Sequence, residues 1–212
     1  MTDWPVSLRG VTESVVTTEG PNGRYNVAAL GVFAPKKAGN ESHPDPSRRS
    51  ESTREPRSSV PTARTWGRTR TRRNFESNGE GHVQFIRDPR LFVEAALSVR
   101  EVDAPVLEDA DAWVRVRVER VDSGWDGETE WVRWRLHAED SGVQNRVVPT
   151  FNRGYAAVVE ATVAVSRLDV PGYDTDALLR RVSYFEEVTE RCGGPPEHAA
   201  FAKIQRYIEN NQ

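Results

Sequence analysis

The chain has 212 residues, 37% hydrophobic and 29% charged, with a formal net charge of −3, which fits one large domain, or a domain with an appendage, around a single packed core. No run approaches the roughly 18 apolar residues that a membrane-spanning helix needs, and the opening Met1-Thr2-Asp3-Trp4-Pro5 lacks the basic and apolar regions of a secretory leader. One cysteine, Cys192, and four scattered histidines exclude an internal disulfide and the familiar zinc-ligand spacings, so a cytoplasmic protein without metal or membrane contact is expected.

Two strands open the fold, at 11–18 and 24–34, joined by the hairpin signal Gly20-Pro21-Asn22-Gly23. Residues 36–62 follow, with several prolines and no aromatic residue, leucine, isoleucine or methionine. Such a stretch cannot bury enough apolar surface to offset the entropy of ordering, so it is expected as a disordered insertion at a hairpin tip. Loop-closure entropy rises slowly enough with length to tolerate it. Residues 36–73 also carry eleven basic and four acidic side chains, against an acidic remainder. A short strand at 63–66, Gly67 and a helix beginning near Thr71 come next. A strand at 82–86 precedes Asp88-Pro89, which opens a helix running through Leu97. Alternation is sharpest at 112–121, where Val114, Val116 and Val118 alternate with Arg115, Arg117 and Glu119. The facing strand puts Val132, Trp134, Leu136 and Ala138 on one side and Arg133, Arg135 and His137 on the other. Residues 122–127 are expected as the turn of this antiparallel hairpin.

The last third turns helical. Residues 152–168 place Val158, Ala161, Thr162, Val165 and Leu168 at helical spacing. A second helix at 175–192 shows Leu178, Val182 and Phe185 on one face and ends at Gly193-Gly194. Pro195-Pro196 starts a third, from Glu197 to about Ile208. Strands first and helices last describe an α+β chain, a small antiparallel barrel over residues 1–149 followed by C-terminal helices over 150–212 packed on it.

The stretch most suggestive of chemistry is Thr65-Trp66-Gly67-Arg68-Thr69-Arg70-Thr71-Arg72-Arg73-Asn74-Phe75. A strand ends, a glycine lets the backbone approach a ligand, and hydroxyls and arginines gather at a helix start. Unsatisfied N–H groups and partial positive charge make helix N-termini good phosphate sites, and arginine adds charge-assisted hydrogen bonds. The same residues also describe a solvated basic turn with Thr71 as a plain N-cap. Asn152-Arg153-Gly154 stands before an apolar helix, where it either reaches a cofactor or partner or serves as a cap. Glu160 and Arg167 lie two turns apart, in a polar network or on a solvated face. Cys192 fits a small packing residue, and His82 and His137 fit surface or satisfied positions on strands. No G-x-S-x-G elbow and no nucleophile with a base stands out.

The order of strand, Gly-Arg-Thr-Arg-Thr, helix and then Val83-Gln84-Phe85-Ile86-Arg87-Asp88 resembles the FMN-binding split barrels, the flavin reductase and pyridoxamine-phosphate oxidase group. More closely it is similar to an archaeal family, domain of unknown function 447. The features that carry the resemblance are Glu13-Ser14-Val15-Val16-Thr17-Thr18, Asn26-Val27-Ala28-Ala29-Leu30-Gly31, Thr69-x-Thr71-x-x-Asn74-Phe75, Asn152-Arg153-Gly154, Glu160-Ala161 and Ser166-Arg167-Leu168. The resemblance implies an antiparallel FMN-binding split β-barrel and a homodimer with FMN at the subunit interface. Carried over, Arg68, Thr69 and Thr71 hold the phosphate, Asn74 fixes the turn, and the backbone of Asn26, Val27 and Ala28 lies along the flavin ring. Gln84, Asn152 and Arg153 join the candidate cofactor set. Arg68 and Gln84 depart from the relatives, which often carry a small residue and Asn there. An outward Trp131, opposite in face to Trp134 and flanked by arginines, suits an interface centre.

The resemblance thus implies an FMN-binding protein whose cofactor performs the redox chemistry, an oxidoreductase of unspecified substrate. A non-enzymatic flavin carrier has the same site. A nucleic-acid binder using residues 36–73 is the third alternative, opposed by the acidic remainder and by the lack of a base-reading module.

Overall fold

The computed structural model describes residues 3–35 and 60–211. These form, in chain order, β1 (Val11–Glu19), β2 (Tyr25–Phe33), β3 (Thr62–Trp66), α1 (Arg70–Asn78), β4 (Glu80–Ile86), α2 (Pro89–Leu97), β5 (Arg100–Val102), β6 (Ala110–Asp126), β7 (Thr129–Val143), α3 (Arg153–Val165), α4 (Thr175–Cys192) and α5 (Pro195–Asn211). Hydrogen bonding runs β1-β4-β6-β7-β3-β2 and returns to β1, which closes a six-stranded antiparallel barrel. β5 adds to the first residues of β2 from outside that ring.

The period-2 pattern of the strands fills the barrel. Val16, Leu30, Val32, Val83, Val114, Val116, Val132, Trp134 and Leu136 point inward and are buried, each such side chain contributing on the order of 1.5–3 kcal/mol over its exposed state. Trp134 has a polar handle as well, and its indole N–H donates to Thr65 Oγ1 at 2.9 Å. α1 plugs one end of the barrel, with Phe75 edge-on to Trp134 at a centroid distance of 5.4 Å.

Outward-facing Val15 and Val27 pack beneath Leu91, Phe92 and Ala95 of α2. The same helix turns Val93 into a second core with Val158, Ala161 and Val165 of α3, Leu178 and Val182 of α4, and Phe201 and Ile204 of α5. α3 starts against the α4–α5 junction at such close range that a Cβ on Gly154 would lie 2.4 Å from Gly193 Cα. Glycine is required there for space. The chain is therefore α+β, a split barrel followed by helices, as its pattern predicts. Among the described residues no helix is long and apolar enough to cross a membrane.

Several boundaries differ from expectation. Of the predicted 36–62 insertion, residues 36–59 lie outside the described residues. Residues 60–62 belong to the barrel instead: Pro61 is buried, its carbonyl accepts from Leu136 N at 2.9 Å, and Thr62 opens β3 opposite Arg135 and Phe33. The 122–127 turn is strand over most of its length. β6 and β7 stay paired out to Asp126 and Thr129, so the reversal occupies Gly127 and Glu128. Thr69, not Thr71, caps α1, and β5 is an element the sequence pattern does not announce.

Candidate functional site

β2 is held by β1 along one edge from end to end, but its other edge is shared. β5 takes Tyr25, Asn26 and Val27, and β3 takes Val32 and Phe33. Between them, residues 28–31 have no strand partner on that edge among the described residues. In an antiparallel ladder alternate residues direct both N–H and C=O to the same side, so this gap presents a short row of backbone donors and acceptors, groups that seek partners.

The gap exists because β3 leaves β2 after Ala63 and runs on beside β7 to Trp66. Gly67, at φ +63°, turns the chain in the left-handed region that glycine adopts without strain, and its N–H donates to Glu130 O at 2.7 Å. Thr69 then caps α1, its Oγ1 accepting from Arg72 N at 3.3 Å. The first turn of α1 faces the start of β2, where Asn26 Nδ2 donates to Thr71 Oγ1 at 3.4 Å and both side chains are buried. Asn74 anchors the same helix to β1, its amide donating to Thr18 Oγ1 at 3.0 Å and to Thr18 O at 3.3 Å.

The arginines of this segment divide into two kinds. Arg72 is buried and committed: it bonds Glu76 at 3.0 Å, Glu130 at 2.9 Å and Gly67 O at 3.3 Å, tying α1 to the tip of the β6–β7 hairpin. The Arg72 guanidinium in turn holds the Glu130 carboxyl below its ordinary range. Arg70 is half-held, paired with Glu101 of β5 at 2.7 Å. Arg68 is exposed beside the cap and forms no ion pair among the described residues.

The structure thus brings Asn26, Arg68, Thr69, Thr71 and Asn74 to one end of the β2 gap. It leaves the other expected residues elsewhere. Val27 sends its side chain into the core under α2, and the outer backbone edge of Asn26 and Val27 is taken by β5, so the open edge begins at Ala28. Gln84 is fully buried with its amide occupied: it donates to Thr17 Oγ1 and Pro105 O, both at 3.0 Å, and accepts from Leu107 N at 2.7 Å. Asn152 caps α3, accepting from Tyr155 N at 3.1 Å, and Arg153 is exposed. Neither bonds to the α1 turn. Sequence reasoning missed β5 and Glu101, since three residues are too few to show a period.

Beyond the gap, Phe33 of β2, Arg64 and Trp66 of β3, and Trp131 and Arg133 of β7 share the outer barrel face. The Arg64 and Arg133 guanidiniums lie 4.8 and 5.6 Å from the Trp131 ring, and Trp66, directly opposite Trp131, is 43% exposed. A cavity of about 300 Å³ opens between α4 and α5 and is lined by Glu186, Glu190, His198 and Phe201. It shares no residue with the gap. No cluster of three or more His, Cys, Asp or Glu able to hold a metal ion occurs among the described residues.

Two family models match the chain. The N-terminal domain of the proteins of unknown function DUF447 covers residues 12–145, and the second DUF447 domain covers residues 152–206. Among solved structures, an FMN-bound DUF447 protein of Methanosarcina mazei superposes with a TM-score of 0.70 at 21% identity, covering 94% of this chain and 96% of that one. The styrene monooxygenase flavin reductase of Pseudomonas putida S12 matches at a TM-score of 0.39 and 15% identity over 63% and 79% of the two chains. Flavoredoxin of Methanosarcina acetivorans does so at 0.41 and 12% over 70% and 79%. No functionally curated protein matches the sequence.

Proposed function

The chain belongs to the DUF447 family, and on that premise we propose that it is an FMN-binding flavoprotein of the oxidoreductase class, working as a homodimer with FMN at the subunit interface. The observation that carries the reading is the placement of a helix N-terminus, with Thr69, Thr71, Arg68 and Asn26, at one end of an unpaired strand edge. Residues 26–31 span roughly 17 Å at ~3.4 Å per residue, long enough for a phosphate at one end and a flat ring at the other. The first-turn N–H groups of α1 and the Thr69 hydroxyl would bind the phosphate, with Arg68 supplying charge. The backbone of residues 28–31 would hydrogen-bond the ring edge.

Bound FMN would supply the electron or hydride transfer itself. The protein residues fix its position and exclude water on the barrel side, where Leu30 and Val32 close the wall. The gap is open on its outer side, and the adjoining face of Phe33, Trp66 and Trp131 suits coverage by a second subunit through aromatic residues flanked by arginine. A site at such an interface is completed only by assembly. No dinucleotide fingerprint occurs in the sequence, which favours the mononucleotide over FAD.

The test is the absorption spectrum of the purified protein with the released cofactor identified by mass, and light scattering at micromolar concentration. A yellow dimer releasing FMN is expected. A colourless protein that ignores added FMN overturns the cofactor, and an FMN-saturated monomer overturns the shared site. Oxidation of a reduced nicotinamide by the loaded protein separates an enzyme from a flavin carrier.

A further inference from the structure

One motif stands beside the gap without a role in holding the phosphate. Glu13 of β1 lies opposite Gly31 of β2, and Gly31 is the last residue of the unpaired edge. A Cβ on Gly31 would lie 3.8 Å from both Glu13 carboxylate oxygens and 3.1 Å from Val11 Cγ1. The missing side chain therefore clears the space between the carboxylate and the edge. One strand spacing, about 4.8 Å, separates β1 from β2, so charge developing at the edge falls within a Debye length of Glu13, about 10 Å at 0.1 M salt. The Glu13 carboxylate makes no hydrogen bond or ion pair among the described residues.

Its surroundings come from α3, more than 140 residues away in sequence. Glu160, Arg167 and Tyr155 are the titratable groups of that helix region coupled to it. Glu13 is exposed to solvent on one side, and partial desolvation on the other pushes its carboxyl above the ordinary value; Glu160 pushes it further, and Arg167 pulls it back. Glu160 of α3 and Arg167 just beyond its end thus meet Glu13 of β1 electrostatically at one place. Among the described residues neither the Glu160 carboxylate nor the Arg167 guanidinium makes a hydrogen bond, although Arg167 stacks 5.5 Å from the Tyr173 ring.

We infer that Glu13 is the proton acceptor of the flavin gap, taking one proton from solvent as the bound ring takes up two electrons. This rests on the FMN reading above. The balance is simple. A two-electron donor, dithionite or a reduced nicotinamide, is oxidised; two electrons and one proton go to the ring, which gains one negative charge; a second proton goes to the Glu13 carboxylate. That protonation keeps the charge of the gap constant, since the new negative charge adds to the proton affinity of a carboxylate that its surroundings already raise.

The experiment is a spectroelectrochemical titration of the FMN-loaded protein between pH 5 and 8. Each proton coupled to two electrons adds about 30 mV per pH unit to the slope of the midpoint potential. The wild type is expected to be steeper than Glu13→Gln by that amount, in the window above the ordinary carboxylate range. Glu160→Gln should move the window to lower pH, because it removes a charge that raises the Glu13 pKa, and Arg167→Gln should move it to higher pH. Parallel slopes in wild type and Glu13→Gln overturn the inference while leaving FMN binding intact. Should Glu13→Gln fail to fold, an unmoved window in both the Glu160 and the Arg167 variants overturns it equally. Failure of the wild type to bind FMN overturns the cofactor reading and this inference together.

Discussion

Replacing Arg72 and Arg68 separately by methionine should give opposite signatures, although the two stand four residues apart in one basic run. Arg72 has a side chain only 8% exposed and bonds Glu76, Glu130 and Gly67 O. Hydrogen bonds to charged partners contribute about 1.5–3 kcal/mol each when lost outright. Here Glu130 and Glu76 remain 27% and 40% exposed, so water recovers part of that loss, and methionine keeps the stem packed. A net cost of about 2–3 kcal/mol follows, below the 3–5 kcal/mol of a fully buried pair broken on one side. For a chain of this size that lowers the melting temperature by roughly 4–12 °C. Arg68→Met should leave stability within about 0.5 kcal/mol, as for other surface changes, and weaken FMN binding by roughly 10- to 150-fold. Urea melts at unchanged m-value report the first quantity, and quenching of FMN fluorescence on titration reports the second. Equal stabilities in the two variants would refute the division of the arginines into structural and ligand-facing kinds.

Three further outcomes follow from the same geometry. Replacing residues 36–59 by a short Gly-containing turn should preserve the fold, because Phe33 and Thr62 are already paired across the hairpin; extending the deletion to residue 62 removes the Pro61–Leu136 bond and the Thr62 rung and should lower the thermal midpoint. Gly154→Ala forces a methyl to 2.4 Å from Gly193 Cα and should cost about 1–3 kcal/mol by overpacking, seen as a lower urea midpoint; an unchanged midpoint would mean that α3 docks with slack. Burial holds the His82 imidazole below its ordinary value, and its Nδ1 is buried without a hydrogen-bond partner among the described residues. The native state then binds fewer protons than the unfolded chain, so this contribution is complete above about pH 6.5 and is lost as pH falls toward the folded pKa; His82→Phe should flatten urea stability between pH 7 and 5, and an unaltered slope would remove His82 as the cause.

Much of the barrel was legible because one buried face imposes a period of two. Val114, Val116 and Val118 against Val132, Trp134 and Leu136 report that face directly. Where pairing runs beyond the core, the signal fails. Residues 122–126 look like a turn, with Asp122, Ser123 and Gly124, yet they are strand, and Gly124 is there for packing: a Cβ on it would lie 2.7 Å from the Trp131 ring. Two threonines two residues apart compete to cap α1, and the turn at Gly67 decides for Thr69. The separate duties of Arg68, Arg70 and Arg72 depend on Glu101 and Glu130, 31 and 58 residues distant from the arginines they bind. Local composition gives all three arginines the same appearance. Gln84 shows the converse, a residue marked by its motif whose amide is spent on the 105–107 backbone.

The open edge and the helix N-terminus beside it have one origin. A strand edge left unpaired is a liability unless something covers it, and within a closed barrel the economical arrangement would keep β3 on β2 for its full length. Instead β3 stays with β7 through five rungs and with β2 for only two. Gly67 then directs the chain into α1, which closes the end of the barrel through Phe75 and binds β2 again through Thr71 and Asn26. The divergence that opens residues 28–31 is thus the same path that brings the first turn of α1 to the head of the gap. A ligand with an anionic end and a planar hydrogen-bonding end would satisfy both features at once. The buried Arg72 fastens that turn to Gly67 and to the β6–β7 hairpin, and in the proposed site the backbone groups that the barrel forgoes would be the surface that meets the ring.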